Sequence, residues 1–325
     1  MSLPSTSTAP STSEDDALKA ATFQRLHPRT YLERFLAEGV RPDGRNLEEW
    51  RTIELNVGSI STANGSALVK LGQTTIVCGV KAEIAEPELD CEDEGFLVPN
   101  IDLPALCSPK FKPGPPSEEA QVLSERLNEA LFEGPSSIIS RKSLCIEPGK
   151  AVWVLYIDAT VINYDGNAFD AAVLAMVCAL RNATLPYATY NPETNRTICT
   201  RPNTNPEKPA KQLKLEMDKG RLKQPMSFSF GVVHYNAPDT DPRPLILPDP
   251  TSFEEPLLET TLTVILDSTG QLVNVEQTGA GVPLSGALVG GSVNEGNVMS
   301  RCIALAKKRF VELEDVRKRV QDISA

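Results

Sequence analysis

The chain has 325 residues, 41% of them hydrophobic and 23% charged, with a formal net charge of −11 and a pI near 4.9. That is enough apolar material for one large or two fused α/β units. The acidic balance excludes a free-standing nucleic-acid binder with a broad basic face, so any such contact must come from a few local cations or be shared with partner chains.

No run of about 18 apolar residues occurs, so no membrane span is expected. The start, Met1 to Pro10, lacks the basic opening and apolar centre of a signal peptide. The seven cysteines are odd in number, widely spaced and form no CxxC pair. Reduced, mostly buried thiols in a cytosolic or nuclear protein are the expectation. The sequons at Asn64, Asn182 and Asn195 then read as chance matches.

Residues 1–14 are rich in Ser, Thr and Pro and predict a disordered tail. A helix is predicted from Asp15 to about Leu26. Pro28 suits the first turn of a second helix that ends at Gly39. Arg41 to Arg45 is a turn, and Arg41 and Arg45 can pair with acids of this chain or a neighbour. Alternation predicts a strand at 50–57, then strands at 66–71 and 74–84 split by Gly72-Gln73. The run at 74–84 is apolar enough to be central. A further strand spans 96–103.

Pro115-Pro116-Ser117-Glu118-Glu119 opens a helix to about Phe132, with Ser117 as its cap and two acids at its positive end. Within that helix, Arg126 is expected to pair locally with Glu129 at i,i+3. A strand covers 152–163. Asp165-Gly166-Asn167 then turns into an apolar helix, 168–180, that should be buried. Residues 191–224 are polar and rich in Pro and Lys, which predicts a long surface insertion. Strands resume at 226–234, 245–247 and 257–266, and a hairpin closes at 271–276. The Gly-rich stretch 279–296 precedes a final amphipathic helix with Ile303, Ala306, Phe310, Leu313, Val316 and Val320 on one face. The division that follows is a first part at 15–190, an insertion at 191–224 and a second part at 225–325, in an α+β chain of two sheet-and-helix units.

Several ordered segments carry a family resemblance. They are Arg41-Pro42-Asp43-Gly44-Arg45, Gly58 to Gly72, Gly79-Val80-Lys81-Ala82-Glu83, Leu97 through Cys107, Gly114 to Ala120, Val152 to Tyr156 and Tyr164 to Asn167. Together they make the chain similar to the RNase PH family from about Phe23 to the final helix. The resemblance implies two βαβα-type halves, of the kind called ribosomal protein S5 domain 2-like. It also implies a place in the six-membered ring of the eukaryotic RNA exosome. Expected partners are other RNase PH-like ring subunits, RNA-binding cap subunits, docked hydrolytic nucleases and RNA in the channel. The implied locations are nucleus, nucleolus and cytoplasm, and the implied role is support of 3′–5′ RNA processing, including ribosomal RNA maturation.

A phosphorolytic member must hold a free phosphate beside an RNA phosphodiester, which needs arginines, a helix N-terminus and an acid. Active members place a Gly-rich, Ser/Thr-Arg segment in the stretch matching 110–120. Here Glu118 and Glu119 stand where an anion would bind. Lys110 and Lys112 remain, either as RNA-backbone contacts or as solvated lysines. Asp249 and Glu255 match the spacing of the family's catalytic acid pair, either as a vestige of it or as a polar turn. No catalytic triad, zinc cluster, P-loop or cofactor motif is present. The expectation is a catalytically silent ring subunit without cofactor or metal. The alternative is a phosphate-dependent 3′–5′ exoribonuclease.

Overall fold

A computed structural model describes residues 12–133, 137–200, 211–212, 217–218, 221–222, 224–235, 243–280 and 298–324. The expected tail (up to residue 11), residues 201–210 of the polar insertion and the Gly-rich stretch from 281 lie outside these residues.

The helices are α1 (Thr12–Leu26), α2 (Pro28–Ala37), α3 (Glu118–Phe132), α4 (Ala168–Asn182) and α5 (Val298–Ser324). The first half carries strands β1 (Ile53–Val57), β2 (Gly65–Leu71), β3 (Thr74–Ala85), β4 (Phe96–Asp102), β5 (Cys145–Glu147) and β6 (Ala151–Asn163). They form one sheet in the order β1-β2-β3-β6-β4, with β5 also on β6. Only β4 runs parallel to its neighbour. Short ladders follow: β7 (Thr184–Leu185) with β10 (Lys211–Gln212), β8 (Tyr187–Asn191) with β9 (Arg196–Thr200), and β11 (Met217–Asp218) with β12 (Arg221–Leu222). The second half has β13 (Met226–Tyr235), β14 (Arg243–Pro248), β15 (Thr260–Leu266) and β16 (Leu272–Gly279), ordered β14-β13-β15-β16 and antiparallel throughout.

Period-two burial turns Ala67, Val69 and Leu71 of β2, Ile76, Cys78 and Val80 of β3, and Ile157, Ala159 and Val161 of β6 into one core. That face packs on α3 and α4. α4 is apolar on most faces, and eleven of its fifteen residues are buried, because it touches β2 and β3 on one side and β13 on the other. It is therefore the shared layer between the halves. A second core gathers Phe228 and Phe230 of β13, Leu262 and Val264 of β15, and Cys302, Ala306, Phe310 and Leu313 of α5. A third, smaller one seats Leu32 and Leu36 of α2 against Val233 and Leu247, so the start of the chain is fastened to the second half. The side chains of Val316 and Val320 lie outside the described residues.

Three expectations are corrected. The strand predicted from residue 50 starts at Ile53. Trp50 leaves the ladder to stack edge-on against Phe228 and Phe230, at 5.8 and 5.4 Å, and Arg51 leaves it for a buried carboxylate. The strand predicted at 257–266 starts at Thr260, after a single 3-10 turn at Glu255–Leu257. The run at 74–84 is central as expected: β3 lies between β2 and β6, and β15 lies between β13 and β16. The long open edge of the second sheet is β16. Arg126 does not pair within its helix. Its Nε reaches Glu276 of β16 at 2.8 Å, its Nη2 donates to Thr263 Oγ1 at 3.3 Å, and its guanidinium lies 4.4 Å from the Phe169 ring centroid. The pull of a partly buried carboxylate across the halves outweighs an exposed local pair of a few tenths of a kcal/mol.

Ser117 caps α3, its Oγ accepting from Ala120 N at 3.2 Å, ahead of Glu118 and Glu119 in the first turn. Ser117→Ala should cost about 1 kcal/mol locally. Native-state hydrogen exchange would show the Ala120 amide opening about fivefold faster. An unchanged exchange rate would mean the cap contributes nothing.

Candidate functional site

The loop that follows β14 is held by arginines from far upstream. The turn at Arg41–Arg45 closes with Arg41 N donating to Arg45 O at 2.8 Å. Arg41 is fully buried. It donates Nε to Glu254 Oε1 at 2.9 Å and Nη1 to Pro248 O at 2.6 Å, and Nη2 bonds Glu254 Oε2 and Asp249 O. Glu254 Oε2 also accepts from Thr251 N and Thr251 Oγ1, at 2.9 and 3.1 Å. A buried guanidinium and a buried carboxylate thus saturate one another, as the low-dielectric interior requires.

Asp249 sits at φ +52 with no exposed surface. Arg51 grips it with both arms of its fork, Nη2 to Oδ1 at 2.6 Å and Nε to Oδ2 at 2.8 Å. Arg51 N adds 3.2 Å to Oδ2, Asn167 Nδ2 adds 2.7 Å to Oδ1, and Arg45 Nη1 approaches Oδ2 at 3.4 Å. Burial works against ionisation of Asp249. Arg51, then Asn167 and Arg45, outweigh it and hold the carboxyl below its usual range. The same Arg51 donates to Asp165 O at 2.7 Å and Gly166 O at 3.3 Å. One side chain therefore joins the leading segment, the turn before α4 and the end of β14. Gly166, at φ +78, lies so close to this loop that a Cβ there would sit 2.5 Å from Ser252 N and Thr251 C.

Glu255 stands beside the start of α4. Its Oε1 accepts from Asn167 N at 2.8 Å and its Oε2 from Tyr164 Oη at 2.6 Å. Burial pushes its pKa up, against the two hydrogen bonds and the more distant charge of Lys110. Asp170, one turn into α4, is likewise raised by burial although it accepts from Ser229 N, Ser229 Oγ and Asn167 Nδ2. Lys110 reaches this rim, 5.8 Å from the Tyr164 ring centroid and 5.6 Å from that of Phe111. Its Nζ is ion-paired with Glu119 at 2.8 Å. Lys112 is exposed.

The structure therefore brings Asp249, Glu255 and Lys110 to one region. Arg51, Asn167, Asp170 and Glu254 belong to the same network and carried no distinct signal in the sequence. Asp165-Gly166-Asn167 read only as a turn, and the sole hint of more was the preference of Asn for the left-handed conformation it adopts here, φ +53. Chemically, both Asp249 oxygens are filled by donors. Arg41 and Arg51 are buried and, with Arg45, are spent on protein acceptors. Among the described residues no group of His, Cys, Asp and Glu could hold a metal ion.

Removing one member of a buried pair leaves the other uncompensated. Arg41→Ala should thus lower unfolding stability by about 3–5 kcal/mol, read from denaturant midpoints; a loss within about 0.5 kcal/mol would mean the pair is idle. Gly166→Ala should cost more than about 1 kcal/mol, because main-chain atoms cannot yield to the new methyl. For pH, the folded pKa of Asp249 is depressed from the ordinary 3.8. Its contribution is full above that value and is lost as pH falls through the folded pKa. Glu255 and Asp170 are raised, so their contributions have the opposite sign and fade as pH rises through their folded values. Asp249→Asn should therefore be less stable at neutral pH and flatter in stability below about pH 4. An unchanged slope in an acid titration would exclude the depressed pKa.

Residues 49–186 match the family model described as 3′ exoribonuclease family, domain 1. The chain is 39% identical to "Exosome complex component rrp43" of Schizosaccharomyces pombe over 288 residues, covering 89% of this chain and 94% of the relative. It is 34% identical to "Exosome complex component Rrp42" of Thermococcus gammatolerans, covering 77% of this chain and 82% of that one. Among solved structures, a chain of the Archaeoglobus fulgidus exosome with RNA bound to the active site superposes with a TM-score of 0.67 at 28% identity, covering 88% of this chain and 96% of that one. With the two-half fold, these likenesses establish that the chain belongs to the RNase PH family.

Proposed function

We propose that the chain is a structural, non-catalytic subunit of an RNA exosome core ring. Its place is beside other RNase PH-like subunits and beneath RNA-binding cap subunits, with hydrolytic nucleases docked on the assembly. In this role it supports 3′–5′ RNA processing and degradation, ribosomal RNA maturation included, in nucleus, nucleolus and cytoplasm. The likeness to named exosome components over 89% of the chain supports the ring assignment. The observation that carries the lack of catalysis is the Asp249 carboxylate, closed off by Arg51, Asn167 and Arg45. A phosphorolytic site must supply cations to two anions at once, and here the arginines nearest the acid pair are committed to carboxylates and carbonyls. The α3 N-terminus faces an anion with Glu118 and Glu119, and Glu119 takes the charge of Lys110.

The purified chain should release no nucleoside diphosphates from RNA in phosphate and magnesium. Release that Glu255→Gln abolishes would establish the alternative, a phosphate-dependent 3′–5′ exoribonuclease. Co-expression with other RNase PH-like subunits should yield a stable larger assembly in sizing chromatography. A well-behaved monomer indifferent to them would count against the ring.

RNA contact in this reading falls to Lys112 and, in competition with Glu119, to Lys110. Two such contacts give a shallow salt dependence, with a slope of about −0.7 per contact on a single strand. Changing both to Glu should weaken RNA protection by an assembled ring and leave assembly intact. Undiminished protection would make them ordinary surface lysines.

A further inference from the structure

Where the two halves meet, a small, partly open cavity lies beside Asp249 and Asn167. Its volume open to the centre of a water molecule is about 30 Å³. Three of its walls end in polar side chains: Asn167 at the start of α4, Ser227 on β13 and Arg309 on α5. Each has a buried polar atom without a hydrogen-bond partner, namely Asn167 Oδ1, Ser227 Oγ and Arg309 Nε. Ser227 also lies close to the Asp170 carboxyl and favours its ionised form. Much of the remaining lining is apolar, with Trp50, Leu71 and Phe228 among it.

Buried polar groups left unpaired are rare in folded proteins, and each costs free energy. Here an acceptor, a donor and a hydroxyl able to do either line one space. A water site needs roughly 10–15 Å³ by this measure and two to four polar partners. The cavity meets both conditions, with room for one or two molecules. The charges around it exclude other small occupants. Asp170 and Asp249 in the wall repel an anion, and Arg309 repels a cation. A neutral molecule that donates to Asn167 Oδ1 and accepts from Arg309 Nε remains.

We propose that this cavity is a structural hydration site, in which one or two waters bridge Asn167, Ser227 and Arg309 and so tie α4, the second sheet and α5 together. The other contacts of Arg309 suit that role. Its Nη2 donates to Arg51 O at 2.8 Å and its Nη1 to Glu312 at 2.7 Å. Nε is thus the arm directed to the cavity, and the guanidinium connects the waters to the backbone of the arginine that holds Asp249.

The test is a crystal structure of the full chain, alone or within its assembled ring, at a resolution that shows ordered solvent, paired with a xenon-pressurised crystal. Apolar empty cavities take up xenon, and hydrated polar ones do not. The expected result is solvent density within about 3.2 Å of at least two of the three atoms, with no xenon. Xenon in the cavity, or no solvent density there, would overturn the proposal. Ser227→Ala removes the hydroxyl without adding bulk. It should displace or shift the solvent peak with the fold unchanged, whereas an identical peak in that variant would remove Ser227 as a partner. If the variant does not fold, the wild-type solvent and xenon maps decide alone.

Discussion

The bidentate pair between Arg51 and Asp249 is the constraint on which the rest of the structure depends. It lies where three distant pieces of chain must meet: the segment entering β1, the turn before α4 and the end of β14. A buried carboxylate is costly unless its charge and its lone pairs are met. Arg51 meets the charge, and Asn167, Arg45 and a backbone amide meet the lone pairs. Arg41 and Glu254 repeat the device a few ångströms along the same loop. Such pairs add less net stability than apolar packing of the same volume would. What they fix is register, since no other placement of the second half satisfies both carboxylates and the carbonyls of Pro248, Asp249, Asp165 and Gly166 together.

That constraint also bears on the proposed lack of catalysis. Arginine recognises carboxylate and phosphate with the same planar fork. A guanidinium committed to a protein carboxylate in a buried site is not available to a substrate phosphate. Asp249 is held ionised under arginines, and Glu255 is held by Tyr164 and the amide of Asn167.

Much of the architecture was legible in the sequence. The alternating runs of β2, β3 and β6, the Ser117 cap and the mostly apolar α4 follow from short-range rules of period, capping and burial. The departures are long-range. Nothing local says that Trp50 and Arg51 abandon their strand, because Phe228, Phe230 and Asp249 are far along the chain. The same holds for Arg126, whose partner Glu276 lies on a strand of the other half. The interior position of β3 followed from its apolar run, whereas that of β15 was hidden, since nothing local says which strands flank it. Asp249 and Glu255 could be picked out by their spacing, but Arg41 and Arg45 read only as charged turn residues and Arg51 only as part of a strand.

A double-mutant cycle on Arg51 and Asp249, using Arg51→Met and Asp249→Asn and read by equilibrium unfolding, tests the central claim most directly. The account predicts a coupling free energy above about 2 kcal/mol, because each single change strands its partner in the interior. Additivity within about 0.5 kcal/mol would show that the two groups act independently. It would contradict the view that this pair joins the halves and closes the acid site.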